Sequence, residues 1–183
     1  MNQNLLIAKV ENKPGVLNRV ASLFRRRNFN IESLNVGHSE TPDVSRMTIA
    51  MDASQVDVKL VEANLYKLVN VIDVQDVSNH PNITRDLALI KVTANAEQRA
   101  EIANLVQLFR AKVVDVAAGS VIVEVTGTLD KVEALINLLR PMGVKEIVRT
   151  GQIAMLRGDG IGTRHTPGAN GNKQSNNKEE ERK

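Results

Sequence analysis

Short apolar runs and amphipathic runs alternate along the first half of the chain. Residues 5–10 are almost uniformly apolar and too few for a surface helix, so they predict a strand. Residues 16–27 carry apolar side chains at helical spacing and end in three arginines, which suit the last turn of a helix. The same criteria predict strands at 31–39, 45–51 and 71–77 and a helix at 58–68. The predicted order is βαββαβ.

The same order starts again in the second half. Residues 87–92 repeat the pattern of residues 5–10, including the closing Lys-Val pair. Two more helices are indicated by apolar residues at helical offsets: Ile102, Leu105, Val106 and Phe109, then Val132, Leu135, Ile136 and Leu139. Strands are predicted at 113–117, 120–126 and 144–149. The sequence therefore predicts an α+β chain of two tandem ferredoxin-like βαββαβ units, each of about 75 residues.

The composition suggests where these units begin and end. We expect a first unit at 1–78, a linker at 79–84, a second unit at 85–158 and a disordered C-terminal tail at 159–183, where periodicity stops. Each unit should be a four-stranded antiparallel sheet with two helices on one face. The other face would be bare, and the bare face of a small sheet usually meets a partner, so dimerisation or docking is expected.

The composition also argues against catalysis and against nucleic-acid binding. The chain has no Cys, and its three histidines lie at a strand end, in the linker and in the tail: His38, His80 and His165. RNA-recognition modules share the βαββαβ order but need aromatic residues on their central strands. Here one Tyr and three Phe fall on predicted helices or in a loop, and the net charge is only +3. No membrane-spanning run is present, so a cytoplasmic protein is expected.

The connection between the first strand and the first helix is the strongest candidate for a binding site. Residues 11–17 read Glu-Asn-Lys-Pro-Gly-Val-Leu. Such a turn leaves backbone N–H groups at a helix N-terminus, where the helix dipole favours a carboxylate or a phosphate. An Asn-Pro-Gly turn taken alone is more often only a connection, and this alternative stays open.

The surroundings of this turn favour a free amino acid as ligand. The end of the first strand is expected to face the start of the strand at Ile31, so Asn30 would join Asn12 in one pocket, within a chain or across a dimer. The N–H groups of Gly15 and Val16 would take the carboxylate, and the amides the ammonium and the second oxygen. Apolar surface for a small branched side chain would come from Leu17 and Ile31.

Several motifs in order resemble the small regulatory subunits of acetolactate (acetohydroxyacid) synthase. At residues 11–20 the sequence reads Glu-Asn-Lys-Pro-Gly-Val-Leu-Asn-Arg-Val, and at 28–34 Asn-Phe-Asn-Ile-Glu-Ser-Leu. Residues 45–49, Ser-Arg-Met-Thr-Ile, continue the match, and segments 65–71 and 85–92 fit the same family. The resemblance covers roughly residues 3–158 and does not include the tail.

The resemblance implies a division of labour between two subunits. It implies an N-terminal ACT domain that binds valine, and often leucine or isoleucine, at a homodimer interface, followed by a C-terminal ferredoxin-like domain. A catalytic large subunit would carry thiamine diphosphate, Mg²⁺ and FAD, while this chain would bind no metal or cofactor and hold no catalytic residue. The small subunit would activate that enzyme of branched-chain amino acid biosynthesis and confer feedback inhibition.

The family's ligand contacts carry over to six positions that match here, namely Asn12, Gly15, Val16, Leu17, Asn30 and Ile31. The alternative to this assignment is a free-standing amino-acid-sensing ACT module that acts on a different partner.

Overall fold

The computed structural model describes residues 3–54 and 57–158 of the 183-residue chain. The first unit contains β1 (Gln3–Glu11), α1 (Val16–Arg26), β2 (Ser33–His38), β3 (Val44–Asp52), α2 (Val58–Leu65) and β4 (Val71–Asp76). The second contains β5 (Asn82–Thr93), α3 (Ala96–Leu108), β6 (Lys112–Ala117), β7 (Ser120–Gly127), α4 (Leu129–Leu139), a 3₁₀ turn (Arg140–Met142), β8 (Val144–Arg149) and β9 (Ile153–Leu156). The predicted tail at 159–183 lies outside the described residues.

The first unit is a four-stranded antiparallel sheet in the order β2-β3-β1-β4. Its helix-facing side is apolar because alternate residues of β1 and β3 point there, among them Leu6, Ala8, Met47 and Ile49. These side chains pack against the buried face of α1, which includes Phe24. The α+β class and the βαββαβ order are therefore confirmed for this half.

The second unit repeats this plan with the strand order β6-β7-β5-β8. Helix α3 begins with a capping box in which Asn95 and Gln98 satisfy each other's backbone N–H groups. Helix α4 buries Val132, Leu135, Ile136 and Leu139, the four residues whose spacing predicted it. Strand β8 has the predicted limits. Two tandem ferredoxin-like units are thus confirmed.

The outer face of the first sheet is not bare, which corrects one prediction. Strand β5 begins at Asn82, inside the segment predicted as a linker, and its first four residues pair with β9 to form a two-stranded ribbon, residues 82–85 and 153–156. Ala154 of this β5–β9 ribbon is buried against Leu5, Ile7 and Ala50 of the first sheet. Strand β1 is therefore covered on both faces, and this explains why its sequence is apolar without alternation.

Hydrogen bonds and close packing join the two units beside this ribbon. Arg46 Nη2 on β3 donates to the Ala154 carbonyl at 2.9 Å, and the Gln152 side-chain amide donates to Gln3. Gly151, at φ +76°, lies so close to Ser33 that an added Cβ would stand 2.9 Å from the Ser33 Cβ. The first sheet and the β8–β9 connection are therefore in direct contact.

The outer face of the second sheet differs from that of the first. It presents Leu89, Lys91, Ile122, Glu146 and Val148, and Val148 is 54% exposed. Within residues 3–54 and 57–158 no helix is both long and apolar enough to cross a membrane.

Candidate functional site

The turn between β1 and α1 has the open shape that ligand binding requires. Gly15 is the residue before the helix and has φ +84°, a backbone conformation that residues other than glycine rarely adopt. A Cβ added at Gly15 would meet nothing within 4 Å. The backbone conformation, and not crowding inside the chain, is therefore what calls for glycine, and the space above the turn is free.

The backbone donors of this turn are partly engaged within the chain. The first helical hydrogen bond runs from the Arg19 N–H to the Gly15 carbonyl at 3.0 Å. The Val16 N–H donates to the Lys13 carbonyl over a long 3.3 Å, whereas the N–H groups of Gly15 and Leu17 have no acceptor among the described residues. A carboxylate at this helix start would thus find the N–H groups of Gly15 and Leu17 open, and Val16 only weakly held.

The residues of the turn differ in how they can contact a ligand. Val16 is buried at 4% exposure and packs in the core of the first unit, so it can reach a ligand only through its backbone. Leu17 is 47% exposed and offers apolar surface beside the helix start. Asn12 is exposed, and its N–H donates to the Asp43 carbonyl at 2.7 Å, which fixes the turn to the β2–β3 connection.

Asn30 and Ile31 lie at the opposite end of the sheet from Asn12, which corrects the expectation that the end of the first strand faces the start of the strand at Ile31. The strand register aligns Ser33 with Ala50 and Ala50 with Leu5, near the start of β1. Asn12 instead follows Glu11, which ends β1 six residues and about 20 Å beyond Leu5. The reason is that α1 runs back antiparallel to β1, so the chain enters β2 beside the start of β1.

A polar network that the sequence did not reveal holds the turn in place. Asn70 Nδ2 donates to Glu11 Oε2 at 2.5 Å, and Arg19 Nη1 donates to Asn70 Oδ1 at 2.6 Å. Lys13 Nζ lies 3.2 Å from the other Glu11 oxygen. Asn70 belongs to the α2–β4 connection, far from the turn in sequence, and only the pairing of β4 beside β1 brings it there. No local motif could have marked it.

This network predicts a pH-dependent contribution to stability from Glu11. Hydrogen bonds from Asn70 and Lys13, in that order, lower the pKa of the Glu11 carboxyl. A group whose pKa is lower in the folded state stabilises the fold above its unfolded pKa and loses that effect as the pH falls. We expect Glu11→Gln to lower the urea midpoint of unfolding at pH 7. The difference in midpoint between this variant and the wild type should disappear on acidification below about pH 4.

Urea unfolding between pH 7 and pH 3 measures this difference, with the exposed Glu101→Gln on α3 as control. A difference that stayed constant over that range would show that the Glu11 charge has no part in stability.

A second polar cluster lies in a cavity of about 450 Å³ between the two units. Arg149 Nε donates to Asp86 Oδ2 at 2.9 Å, and Arg149 Nη1 donates to Glu133 at 2.5 Å. The side chain of Asp86 is only 1% exposed. Because these charged groups bind one another, the cluster is a structural tie between β5, β8 and α4. Within the described ranges no group of three or more His, Asp or Glu residues is arranged to hold a metal.

Comparison with known proteins extends the resemblance to both units. Residues 6–73 match the family model described as the AHAS small subunit-like ACT domain, and residues 85–158 match the model described as the small subunit of acetolactate synthase. Both matches fall on the βαββαβ units described above.

Individual relatives match over most of their length. A probable acetolactate synthase small subunit from Archaeoglobus fulgidus is 52% identical over 150 residues, which are 82% of this chain and 94% of the relative. The acetolactate synthase small subunit of Bacillus subtilis is 45% identical over 157 residues, 85% of this chain and 91% of the relative.

A solved structure shows the same fold. The crystal structure of the acetolactate synthase small subunit from Thermotoga maritima superimposes with a TM-score of 0.79 at 43% identity, covering 87% of this chain and 99% of that chain. The chain described here belongs to the family of acetolactate synthase small subunits.

Proposed function

We propose that this chain is the non-catalytic, regulatory subunit of an acetolactate synthase, which activates the catalytic subunit and makes it sensitive to valine. Membership in a family of small subunits implies a catalytic partner subunit. The observation that carries the regulatory role is the open helix start at Gly15, with unengaged N–H groups and the exposed Asn12 in the same turn. Such a site suits a small zwitterion, because the ligand has no net charge to neutralise.

The proposed ligand site is shared between two copies of the chain. Strand β2 is an edge strand of the first sheet. Two copies that pair antiparallel through β2 about a two-fold axis would place the start of one β2 beside the end of the other. His38, at the end of β2, pairs with Ser45 near the 12–17 turn. Asn30 and Ile31 of one copy would therefore approach the turn of the other.

Each proposed contact has a definite chemical task. The N–H groups at the start of α1, from Gly15 to Leu17, would hold the α-carboxylate. The amides of Asn12 and Asn30 would accept from the ammonium and donate to the second carboxylate oxygen. Leu17 and Ile31 would line a pocket for a branched aliphatic side chain. Such a pocket separates ligands that differ by one methylene by only about 1–3 kcal/mol, so valine, leucine and isoleucine should compete.

We assign the cofactors of the reaction to the catalytic subunit. The described residues offer no cluster of ligands for Mg²⁺, and none of their strand-turn-helix segments has the Gly-rich pattern of a dinucleotide site. As the family resemblance implies, thiamine diphosphate, Mg²⁺ and FAD belong to the partner in this proposal. In this proposal valine regulates the enzyme by linkage. Valine binds one conformation of the assembled enzyme more tightly than another, and it shifts the equilibrium between them by at most that difference in binding free energy, typically about 1–3 kcal/mol.

Reconstitution of the two subunits tests the proposed function directly. The purified chain alone should form no acetolactate from pyruvate, the mixture should turn over faster than the catalytic subunit alone, and valine should lower the rate of the mixture only. Turnover by the isolated chain would refute the non-catalytic role. Valine binding by calorimetry without any effect on the catalytic subunit would instead support a free-standing sensor with a different partner.

A further inference from the structure

A groove of about 360 Å³ lies where the β5–β9 ribbon crosses the outer face of the first sheet. One wall is formed by Ile83, Ile153 and Met155, which are 40%, 48% and 64% exposed. The floor comes from β2 and β3, including Thr48. The groove is thus an apolar surface open to solvent, and none of residues 12–17 lines it.

The apolar wall follows from the register of the ribbon. Ile83 pairs with Met155 and Arg85 pairs with Ile153, so these four side chains share one face. The opposite face carries Ala154, which is buried on the first sheet. The short ribbon therefore has apolar side chains on both faces but buries only one of them. Exposed apolar surface of this kind commonly marks an interaction site, so we expect a binding partner to cover the exposed face of the ribbon.

The charges around the groove are positive. Arg46 and Arg85 line it, and each guanidinium has one hydrogen bond to a backbone carbonyl, Ala154 and Thr84 respectively. Neither forms a salt bridge within the described ranges. Glu40 interacts electrostatically with Arg46, but its carboxylate is bound by Lys9 at 2.5 Å. Among the residues that the structure describes, these two arginine side chains therefore have no ion-pair partner beside the apolar wall.

The positive charge around the groove indicates which kind of partner binds there. A second copy of the chain that docked through the same patch would place arginines against arginines, since an isologous interface meets itself. An apolar segment flanked by Asp or Glu would bury the exposed wall and pair with both guanidinium groups. We propose that the groove binds an apolar, acidic segment of the catalytic subunit. The inference rests on the proposed function, because it locates the surface through which activation is exerted.

Two groove variants and two matched controls test this surface. Met155→Glu places a carboxylate on the apolar wall and Arg85→Glu reverses one of the two charges. Val69→Glu, at an 87% exposed valine, and Lys145→Glu, at an exposed lysine on β8, make the same changes elsewhere. Titrating each chain into the catalytic subunit and following acetolactate formation gives the concentration for half-maximal activation. We expect this concentration to rise at least tenfold for both groove variants and to stay unchanged for both controls.

Two further measurements on the free chains separate the possible outcomes. The mass of each variant by analytical ultracentrifugation and its valine affinity by calorimetry should equal those of the wild type. A fall in mass for the groove variants would show that the groove binds a second copy and would overturn the proposal. Wild-type activation by both groove variants would overturn it as well. If the wild-type chain itself failed to activate the enzyme, the proposed function would fail together with this inference.

Discussion

Two variants, one that loses the response to valine and one that binds valine weakly, should regain wild-type inhibition when their chains are combined in one dimer. Gly15→Asp places a carboxylate where the ligand carboxylate would sit, and Asn30→Ala removes an amide from the other half of the site. A homodimer of either variant carries the lesion in both sites. In the mixed dimer, one of the two sites contains both substitutions. The other site is wild type, because it combines Gly15 of the Asn30→Ala chain with Asn30 of the Gly15→Asp chain.

The expected effects are large enough to measure. Loss of a hydrogen bond to a charged group costs about 1.5–3 kcal/mol, so Asn30→Ala should weaken valine binding at least tenfold. Gly15→Asp should abolish detectable inhibition while activation survives, because residues 12–15 are exposed and a Cβ at Gly15 would meet nothing within 4 Å. Mixed dimers isolated through two different affinity tags should bind valine with wild-type affinity at half the wild-type stoichiometry by calorimetry.

Gly15→Asn is the matched control for charge. Asn tolerates the left-handed conformation at φ +84° better than other side chains and carries no charge, so it should keep part of the valine response. Mixed dimers that remain insensitive would show that the residues do not meet across two copies. The shared site would then be wrong, although each single variant had behaved as expected.

The second large effect concerns the fold. Arg149→Ala is expected to lower the free energy of unfolding by about 3 kcal/mol, at the lower end of the range for breaking a buried ion pair. The Asp86 side chain is 1% exposed and would be left without its guanidinium, whereas the Arg149 side chain is 28% exposed, so water can reach the vacated site. Burial lowers the pKa of Arg149, but the hydrogen bonds with Asp86 and Glu133 outweigh it and raise the pKa overall.

Urea unfolding of the single variants Arg149→Ala and Asp86→Asn and of the double variant measures this pair. The double variant should be less destabilised than the sum of the two single variants, because it leaves no unpaired carboxylate in the interior. A loss below about 1 kcal/mol for Arg149→Ala would place the pair among surface salt bridges, which contribute little.

Periodic patterns in the sequence predicted most of the architecture. The helical offsets at Val132 and Leu135 and the limits of β8 agree with the structure because both depend on local spacing and on which side chains a sheet can bury. Strand β9 was missed since Ile153–Leu156 is only four residues long and has no turn signal of its own. Its pairing with the start of β5 depends on a contact across about 70 residues, which no local pattern contains.

For the candidate site, too, the sequence predicted the features that depend on local residues and missed those that depend on long-range contacts. The turn at Asn12 to Leu17 is visible in the sequence because Pro and Gly mark it directly. The separation of Asn30 from Asn12 depends on the register of β2 on β3, and that register is set by packing on the core face. The network of Asn70 with Glu11 likewise required the fold.

The two ends of the first sheet also determine how sensing depends on the amount of protein. Because Asn12 and Asn30 of one chain lie at opposite ends of the first sheet, an isolated monomer would hold only two incomplete halves of the proposed site. In the proposed shared site valine would bind the dimer and not its dissociated chains, so it would tighten subunit association by mass action. At dilutions below the dimer dissociation constant, the apparent affinity for valine should decline, and feedback would fade when the chain is scarce.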